Sequence, residues 1–228
     1  MKNELKKLYQ HRFNQQEQNQ KNKIWKQICK YLEESIFKEI NLVSDSVIVD
    51  VAAGYCDFIN NIYQNKNIKK WAIDANPDIE NYATKDVCVY NDTVENLHHC
   101  FKTDSVFMFF QSNFLEHLTK SQIVQLFKDE FNLLQKGGYC CILTPNIRYC
   151  GGKYWDFFDH ITPLTEKSLI EQAEATGFIL KKCITKFLPY TTKSKIPKAP
   201  WCVRIYLKLL PFSGWILGEQ SLILLQKP

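Results

Sequence analysis

The sequence predicts an α/β fold: a doubly wound, mostly parallel sheet of about seven strands, preceded by a helical cap. Three observations lead there. Short apolar runs of strand length alternate with longer stretches whose apolar residues fall at helical spacing. The first such run, Val47 to Val51, gives way to Ala52, Ala53 and Gly54 and then to Phe58, Ile59 and Ile62, which reads as strand, tight turn and helix start. The run Asp104 to Gln111, DSVFMFFQ, is apolar enough to be buried on both faces, as inner strands of parallel sheets are.

The elements follow in chain order. Residues 1–40 form the predicted cap, with Ile24, Trp25, Ile28, Cys29, Tyr31 and Leu32 making an apolar stripe, and the Gln/Asn-rich piece from Asn14 to Asn22 is expected to interrupt it as a loop. Residues 41–228 form the main domain. After the first strand and its turn, Lys70 to Asp74 is a second strand closed by an acid and stopped by Asn76 and Pro77. Asp86 to Tyr90 is the third strand, followed by Asn91, Asp92 and a short helical VENL; DSVFMFFQ is the fourth. Thr119 to Leu134 is an amphipathic helix with Ile123, Leu126, Phe127, Phe131 and Leu134 on one side. Gly137 and Gly138 are expected to end it, ahead of a fifth strand, YCCILTP. The loop NIRYCGGKYWDFFDHITP is the largest irregular segment. Thr165 with Ser168 caps a helix that Gly177 ends. Phe178 to Phe187 is a sixth strand, Arg204 to Leu210 a short helix or strand, and Glu219 to Gln226 the last strand.

Composition bounds the function. With 228 residues, 45% of them apolar and 23% charged, the chain suits one soluble globular domain with a sizeable core. The net charge of +5 comes largely from Lys-rich ends, which points to solubility or an anionic substrate; there is no long basic stripe interleaved with aromatics, so nucleic acid is not the expected partner. Nine cysteines without a CxxC pair or zinc spacing fit a reducing cytoplasm. The opening MKNELKKLYQHRF lacks the apolar core of a signal peptide, and no run of about 18 apolar residues exists, so a cytoplasmic protein without a transmembrane segment is expected. Trp201 to Leu217 mixes Trp, Tyr, Leu and Phe with Arg204 and Lys208; it lies either on a bilayer surface or in the core as a C-terminal helix.

Five segments then occur in order: VDVAAGYCDF, WAIDANP, NDTVENL, SNFLEHL and LLQKGGYCCILTPN. Over roughly Val47 to Pro228 the chain resembles class I S-adenosylmethionine-dependent methyltransferases. The resemblance implies a Rossmann-like sheet whose last strand is antiparallel, S-adenosyl-L-methionine as cofactor, and methyl transfer as the reaction. The later run YWDFFDHITPLTEKSLIEQAEATGF looks like a subgroup associated with bacterial surface-glycan and small-metabolite pathways. Two positions depart from the pattern. The family usually has Gly where Ala52 and Cys56 stand, and a Cβ there disfavours positive φ and takes room where backbone meets ligand.

Residue by residue, the resemblance implies that Asp50 closes the first strand beside the methionine end, with Ala52, Ala53 and Gly54 forming the turn. Asp74, next to Ala75, accepts from both ribose hydroxyls through charge-assisted bonds. Asp92 accepts from the adenine amino group while Thr93 and Val94 line the ring, unless Asp92 merely orders a turn. Gln111, Ser112 and Asn113, at the carboxyl end of the fourth strand, would hold cofactor or substrate. Arg12, with Tyr9 and Trp25, either folds over the cofactor as a lid or belongs to helix packing.

Methyl transfer asks for positioning and for removal of one proton from the acceptor. His160, with Asp159 and Asp156 near in sequence, is either the expected base or a capping residue that anchors the loop, and His117 beside Glu116 is a second candidate or a structural residue. Tyr149, Tyr154 and Trp155, with Phe157 and Phe158, either wall a substrate or close a core under the loop, and Arg148 and Lys153 would hold a phosphate. No cluster of acids and histidines at ligand spacing is visible, so a metal-independent reaction is expected. The expected function is O-methylation of a small glycan precursor, a nucleotide-linked sugar or phosphorylated intermediate, in surface polysaccharide biosynthesis. Two readings compete. A nicotinamide-dependent oxidoreductase shares the strand, turn and acid but needs a fuller GxGxxG, which Ala52 and Cys56 spoil. A non-catalytic binding protein would keep the fold with a degenerate pocket.

Overall fold

A computed structural model describes residues 15–190 and 199–228, with side chains from residue 19 onward. Seven strands form one sheet: β1 (Val47–Val51), β2 (Lys69–Ile73), β3 (Val87–Tyr90), β4 (Val106–Ser112), β5 (Leu134–Pro145), β6 (Ile179–Leu188) and β7 (Gln220–Gln226). Their order is β3-β2-β1-β4-β5-β7-β6. The pairs β1–β2, β2–β3, β1–β4 and β4–β5 are parallel. Strand β7 runs antiparallel to both β5 and β6, as expected of the last strand. Chain progression reverses between β1 and β4, and such switch points open a crevice at the carboxyl ends of the strands.

Alternation along the inner strands divides the core in two. On one face α1 (Gln15–Tyr31) and α4 (Pro200–Lys208) pack with Ile48, Met108 and Phe110; on the other α2 (Lys120–Leu133) and α3 (Glu166–Thr176) pack with Val49, Val51 and Phe109. A short helix α5 (Phe212–Leu217) precedes β7. Phe58 and Phe110 stack with ring centroids 3.6 Å apart, and Trp25 meets both edge-on, at 6.4 Å and 6.1 Å. Trp25 therefore ties α1 to the sheet. Tyr9 and Arg12 lie outside the described residues.

Three predicted details are corrected. Helix α1 is continuous from Gln15, because glutamine is a good helix former and the apolar stripe beyond it supplies the packing. No regular helix follows β1. Residues 54–65 form successive turns, with Cys56 N–H donating to Ala53 O at 2.8 Å and Ile62 N–H to Phe58 O at 3.0 Å; φ is positive at Ala52 (54°) just before them and at Cys56 (57°) and Tyr63 (46°) within them. Gly137 and Gly138 do not end α2, which stops at Leu133. They form a bulge inside β5, where Val106 pairs with Leu134 but Met108 with Tyr139. Gly137 takes φ 76°, and a Cβ on Gly138 would sit 2.8 Å from the Gln135 carbonyl oxygen. The Thr165–Ser168 capping box and the left-handed Gly177 stand as predicted. Among the described residues, no helix is long and apolar enough to cross a membrane.

Candidate functional site

Two groups of polar side chains gather at the carboxyl edge of the sheet, on either side of the β1/β4 switch point. The first is built on β1 and β2. Asp74, just past β2, accepts the Gly54 N–H at 2.8 Å on one oxygen and the Asn76 N–H at 2.7 Å on the other. Burial raises its pKa, and these two bonds oppose the rise. Each oxygen keeps a second lone pair. Asp50 is buried in β1, its carboxyl bonded by the Ile59 N–H and pushed well above the usual carboxylate range by desolvation. Ala52, Ala53 and Gly54 form the turn between them. A Cβ on Gly54 would meet nothing within 4 Å, so there is open space before this backbone. The two positions that depart from glycine both take left-handed φ, a conformation that costs L-residues roughly 1–2 kcal/mol. The Cys56 side chain, however, is wholly buried among Phe58, Ile59 and Ile62, on the core side of the turn.

The second group lies beyond β4 and β5. His117 Nδ1 is 3.3 Å from Asp159 Oδ2 and 3.1 Å from the Asp159 carbonyl oxygen. The His117 and His160 rings meet edge to face at 4.9 Å. His160 is nearly buried, stacked on Phe157 and flanked by Tyr154, with its Nε2 3.5 Å from the Tyr190 hydroxyl. The Glu116 carbonyl accepts the N–H groups of Ile161 (2.8 Å) and Thr162 (3.1 Å), which pins the long loop to the end of β4. The Glu116 side chain is buried against Thr144 Oγ1 at 3.3 Å, and burial pushes its carboxyl up to about 8.

The three predicted catalytic residues, His117, Asp159 and His160, are thus brought together, with Asp159 in contact with His117. The other predicted residues are placed differently from one another. Gln111 faces away from the crevice. Its amide donates to Glu130 in α2 at 3.1 Å, because its place in β4 shares parity with Phe109 on the α2 side. Tyr154 is fully buried and its hydroxyl donates to the Thr162 carbonyl, so it backs His160 and walls no substrate. Arg148 is paired with Glu166 at 3.5 Å and Lys153 with Glu219 at 2.6 Å, which leaves both cations neutralised within the protein. Asp92 accepts from Thr93 N–H at 2.7 Å and Asn96 Nδ2 at 3.0 Å on one oxygen and from the Tyr90 hydroxyl at 3.1 Å on the other. Ser112 and Asn113 sit at the end of β4, where Asn113 takes φ 50° and its amide donates to Ser112 Oγ. Ala75 and Trp155 are exposed, and Tyr149 lies beneath the Lys186 ammonium at 5.3 Å.

Several participants were missed. Asp57, half-buried in the turn after β1, has its carboxyl pushed up to about 7 by desolvation, with Lys21 pulling it down. Tyr55 meets Tyr82 edge to face at 4.6 Å beside the same turn. Asn91 donates to the carbonyls of Asp74 and Asn76 at 2.9 Å and 2.7 Å, holding the Asp74 loop from β3. An acid directly after the turn was the available signal for Asp57; Asn91 and Tyr190 carried none. Folding also assembles a group that chain spacing hid. Ligand-type atoms of Glu116, His117 and His160 lie within 4.8 Å of one another.

No family model and no curated relative matches the sequence. Solved structures do. An S-adenosylmethionine-dependent methyltransferase from Archaeoglobus fulgidus superposes with a TM-score of 0.64 at 18% identity, over 88% of this chain and 93% of that one. A methyltransferase solved with the Haloferax volcanii activator Trm112 gives 0.62 at 12% identity, over 91% and 97%. An S-adenosylmethionine-dependent methyltransferase from Mesorhizobium loti gives 0.59 at 13% identity, over 86% and 97%. The chain has the fold of class I S-adenosylmethionine-dependent methyltransferases. The antiparallel β7 between β5 and β6 separates it from the order β3-β2-β1-β4-β5-β6 common in dinucleotide-binding sheets, which the oxidoreductase reading expects.

Proposed function

We propose that this chain is an S-adenosylmethionine-dependent methyltransferase acting on a hydroxyl of a small molecule, with a glycan precursor as the acceptor class and the cytoplasm as its place of work. The observation that carries the reading is the pairing, across the β1/β4 switch point, of an Asp74–Gly54 cradle with a His117–Asp159–His160 group. Asp74 has lone pairs to spare for ribose hydroxyls, and the space before Gly54 admits a ligand against the backbone. When bound there, the cofactor supplies a methyl group already activated on a sulfonium. The protein's share is then to hold the acceptor oxygen in line and to take its proton.

His160 is assigned the proton, since a neutral imidazole is the side chain suited to that task near neutral pH. Its ring is held by Phe157 and Tyr154, and such fixing of a base is what lets orientation lower the barrier. His117, held by Asp159, is assigned to position His160 from the side. The reaction is proposed to be metal-independent, because Glu116 and His117 already have protein partners in Thr144 and Asp159. The test follows label from S-adenosylmethionine into a panel of nucleotide-sugars and cell extracts by mass spectrometry. His160→Ala should lower transfer by about 10²–10⁴-fold while calorimetric S-adenosylmethionine binding is kept. A rate within about threefold of the parent would remove His160 from the proton path.

A further inference from the structure

Helix α5 is inverted for an element that covers a core. Its small residues Ser213 and Gly214 are buried, whereas Phe212, Trp215 and Ile216, spaced as one helical face, are 65%, 72% and 56% exposed. Strand β6 enforces this orientation. A Cβ on Gly214 would lie 2.1 Å from the Lys186 carbonyl oxygen, so only the glycine side of the helix fits against the strand. Helix α4 turns Tyr206 and Leu207 inward but leaves Trp201, Ile205 and Leu209 outward beside exposed Arg204 and Lys208. Core packing thus accounts for only part of the Trp201–Leu217 stretch.

The surface continues toward the site. The Lys186 ammonium donates to the Trp215 carbonyl and also sits over the Tyr149 ring, joining α5 to the loop after β5. From that loop Trp155, Phe158 and Ile161 project into solvent. Singly exposed apolar residues are ordinary, but a contiguous group is not. The exposed charges beside the apolar residues of α4 are Arg204 and Lys208, both basic, while the loop after β5 carries Asp156 and Asp159.

We infer that α4, α5 and the loop after β5 dock the carboxyl edge of the sheet onto an anionic lipid surface. Tryptophan and phenylalanine would enter the boundary between headgroups and acyl chains, and the basic residues would meet the headgroup phosphates. A lipid surface fits better than a protein partner. Lysine is depleted where proteins meet proteins, whereas at a bilayer its stem lies on apolar surface and its ammonium reaches the headgroups. This surface requires no methyl transfer, so it stands or falls apart from the proposed reaction.

Co-sedimentation of the full chain with vesicles tests it. Binding is expected to phosphatidylcholine vesicles containing phosphatidylglycerol, weaker binding to phosphatidylcholine alone, and a decrease as salt is raised. Phe212→Ser with Trp215→Ser should weaken binding by roughly tenfold or more, and Arg204→Glu with Lys208→Glu should weaken it at low salt. Melting temperature and S-adenosylmethionine calorimetry report that each variant is folded, and a variant that fails this check is replaced by its single substitutions. A full chain left in the supernatant with anionic vesicles, or folded variants that bind like the parent, overturns the inference. So does a self-associated or protein-bound form lost on Trp215→Ser when no vesicle binding is seen.

Discussion

Asp74 accepts the Gly54 N–H at 2.8 Å, so the acid that closes the second strand and the turn that leaves the first are one unit. Removing that carboxylate acts twice: it releases the turn and deletes the proposed ribose acceptor. Bonds to a charged group contribute about 1.5–3 kcal/mol each. Asp74→Ala should therefore weaken S-adenosylmethionine binding by tenfold or more, measured calorimetrically, with Asp74→Asn in between. Parent-like affinity in the alanine variant would show that the cradle is structural only.

Asp159 touches His117, and His117 touches His160 through its ring. A change at Asp159 should accordingly reach the reaction through one intermediate side chain. Asp159→Asn is expected to lower kcat by about tenfold, less than the loss for His160→Ala, and to leave the cofactor Kd where it was. Equal losses in the two variants would instead place Asp159 at the acceptor itself.

Much of the frame could be read from local pattern. Strands β1 to β4 announce themselves as short apolar runs, and the Thr165–Ser168 box and Gly177 bound α3 by chemistry that acts within one turn. What local pattern could not carry is parity and distance. Strand β4 is buried on both faces, so nothing in its sequence tells which side Gln111 takes. Gly137 and Gly138 have one composition for two roles, a helix stop or a bulge, and only the register of β4 against β5 decides. His117 and Asp159 are 42 residues apart, and their contact exists only because Glu116 pins the loop after β5. The absence of a regular helix after β1 reflects Ala52 and Cys56 at positive φ, an outcome that apolar spacing does not encode.

Glu130 is wholly buried beside Gln111 and Cys140, and burial raises its carboxyl from the usual 4.5 to about 8. The folded state thus holds a proton that the unfolded state releases above about pH 4.5. Stability is unpenalised below that value and declines as pH rises toward 8, where the folded carboxyl finally ionises. Glu116, also raised to about 8, contributes in the same direction. Glu130→Gln keeps the volume and removes the ionisation, so its melting temperature should exceed the parent's at pH 8 and its decline between pH 5 and pH 8 should be shallower, in scans across that range. Parallel pH dependences in parent and variant would mean that Glu130 is not held neutral.

Two glycines separate steric from conformational demands. Gly54 takes φ 56° and has nothing within 4 Å of the point a Cβ would occupy, so Gly54→Ala meets no obstacle and costs only the left-handed backbone, about 1–2 kcal/mol. Gly214 lies in α5, where an alanine has no conformational objection, but its Cβ would fall 2.1 Å from the Lys186 carbonyl oxygen. Backbone on a sheet strand cannot give way as a side chain can. Gly214→Ala should therefore displace α5 and destabilise the chain by about 1–3 kcal/mol or more, a larger loss than at Gly54. At this chain length each kcal/mol lowers the melting temperature by about 2–4 °C. Because Phe212 and Trp215 owe their outward aim to that close approach, the displaced helix should also bury them, read as a blue shift of tryptophan fluorescence. A Gly214→Ala variant that melts with the parent and keeps its emission would show that β6 does not set the orientation of α5.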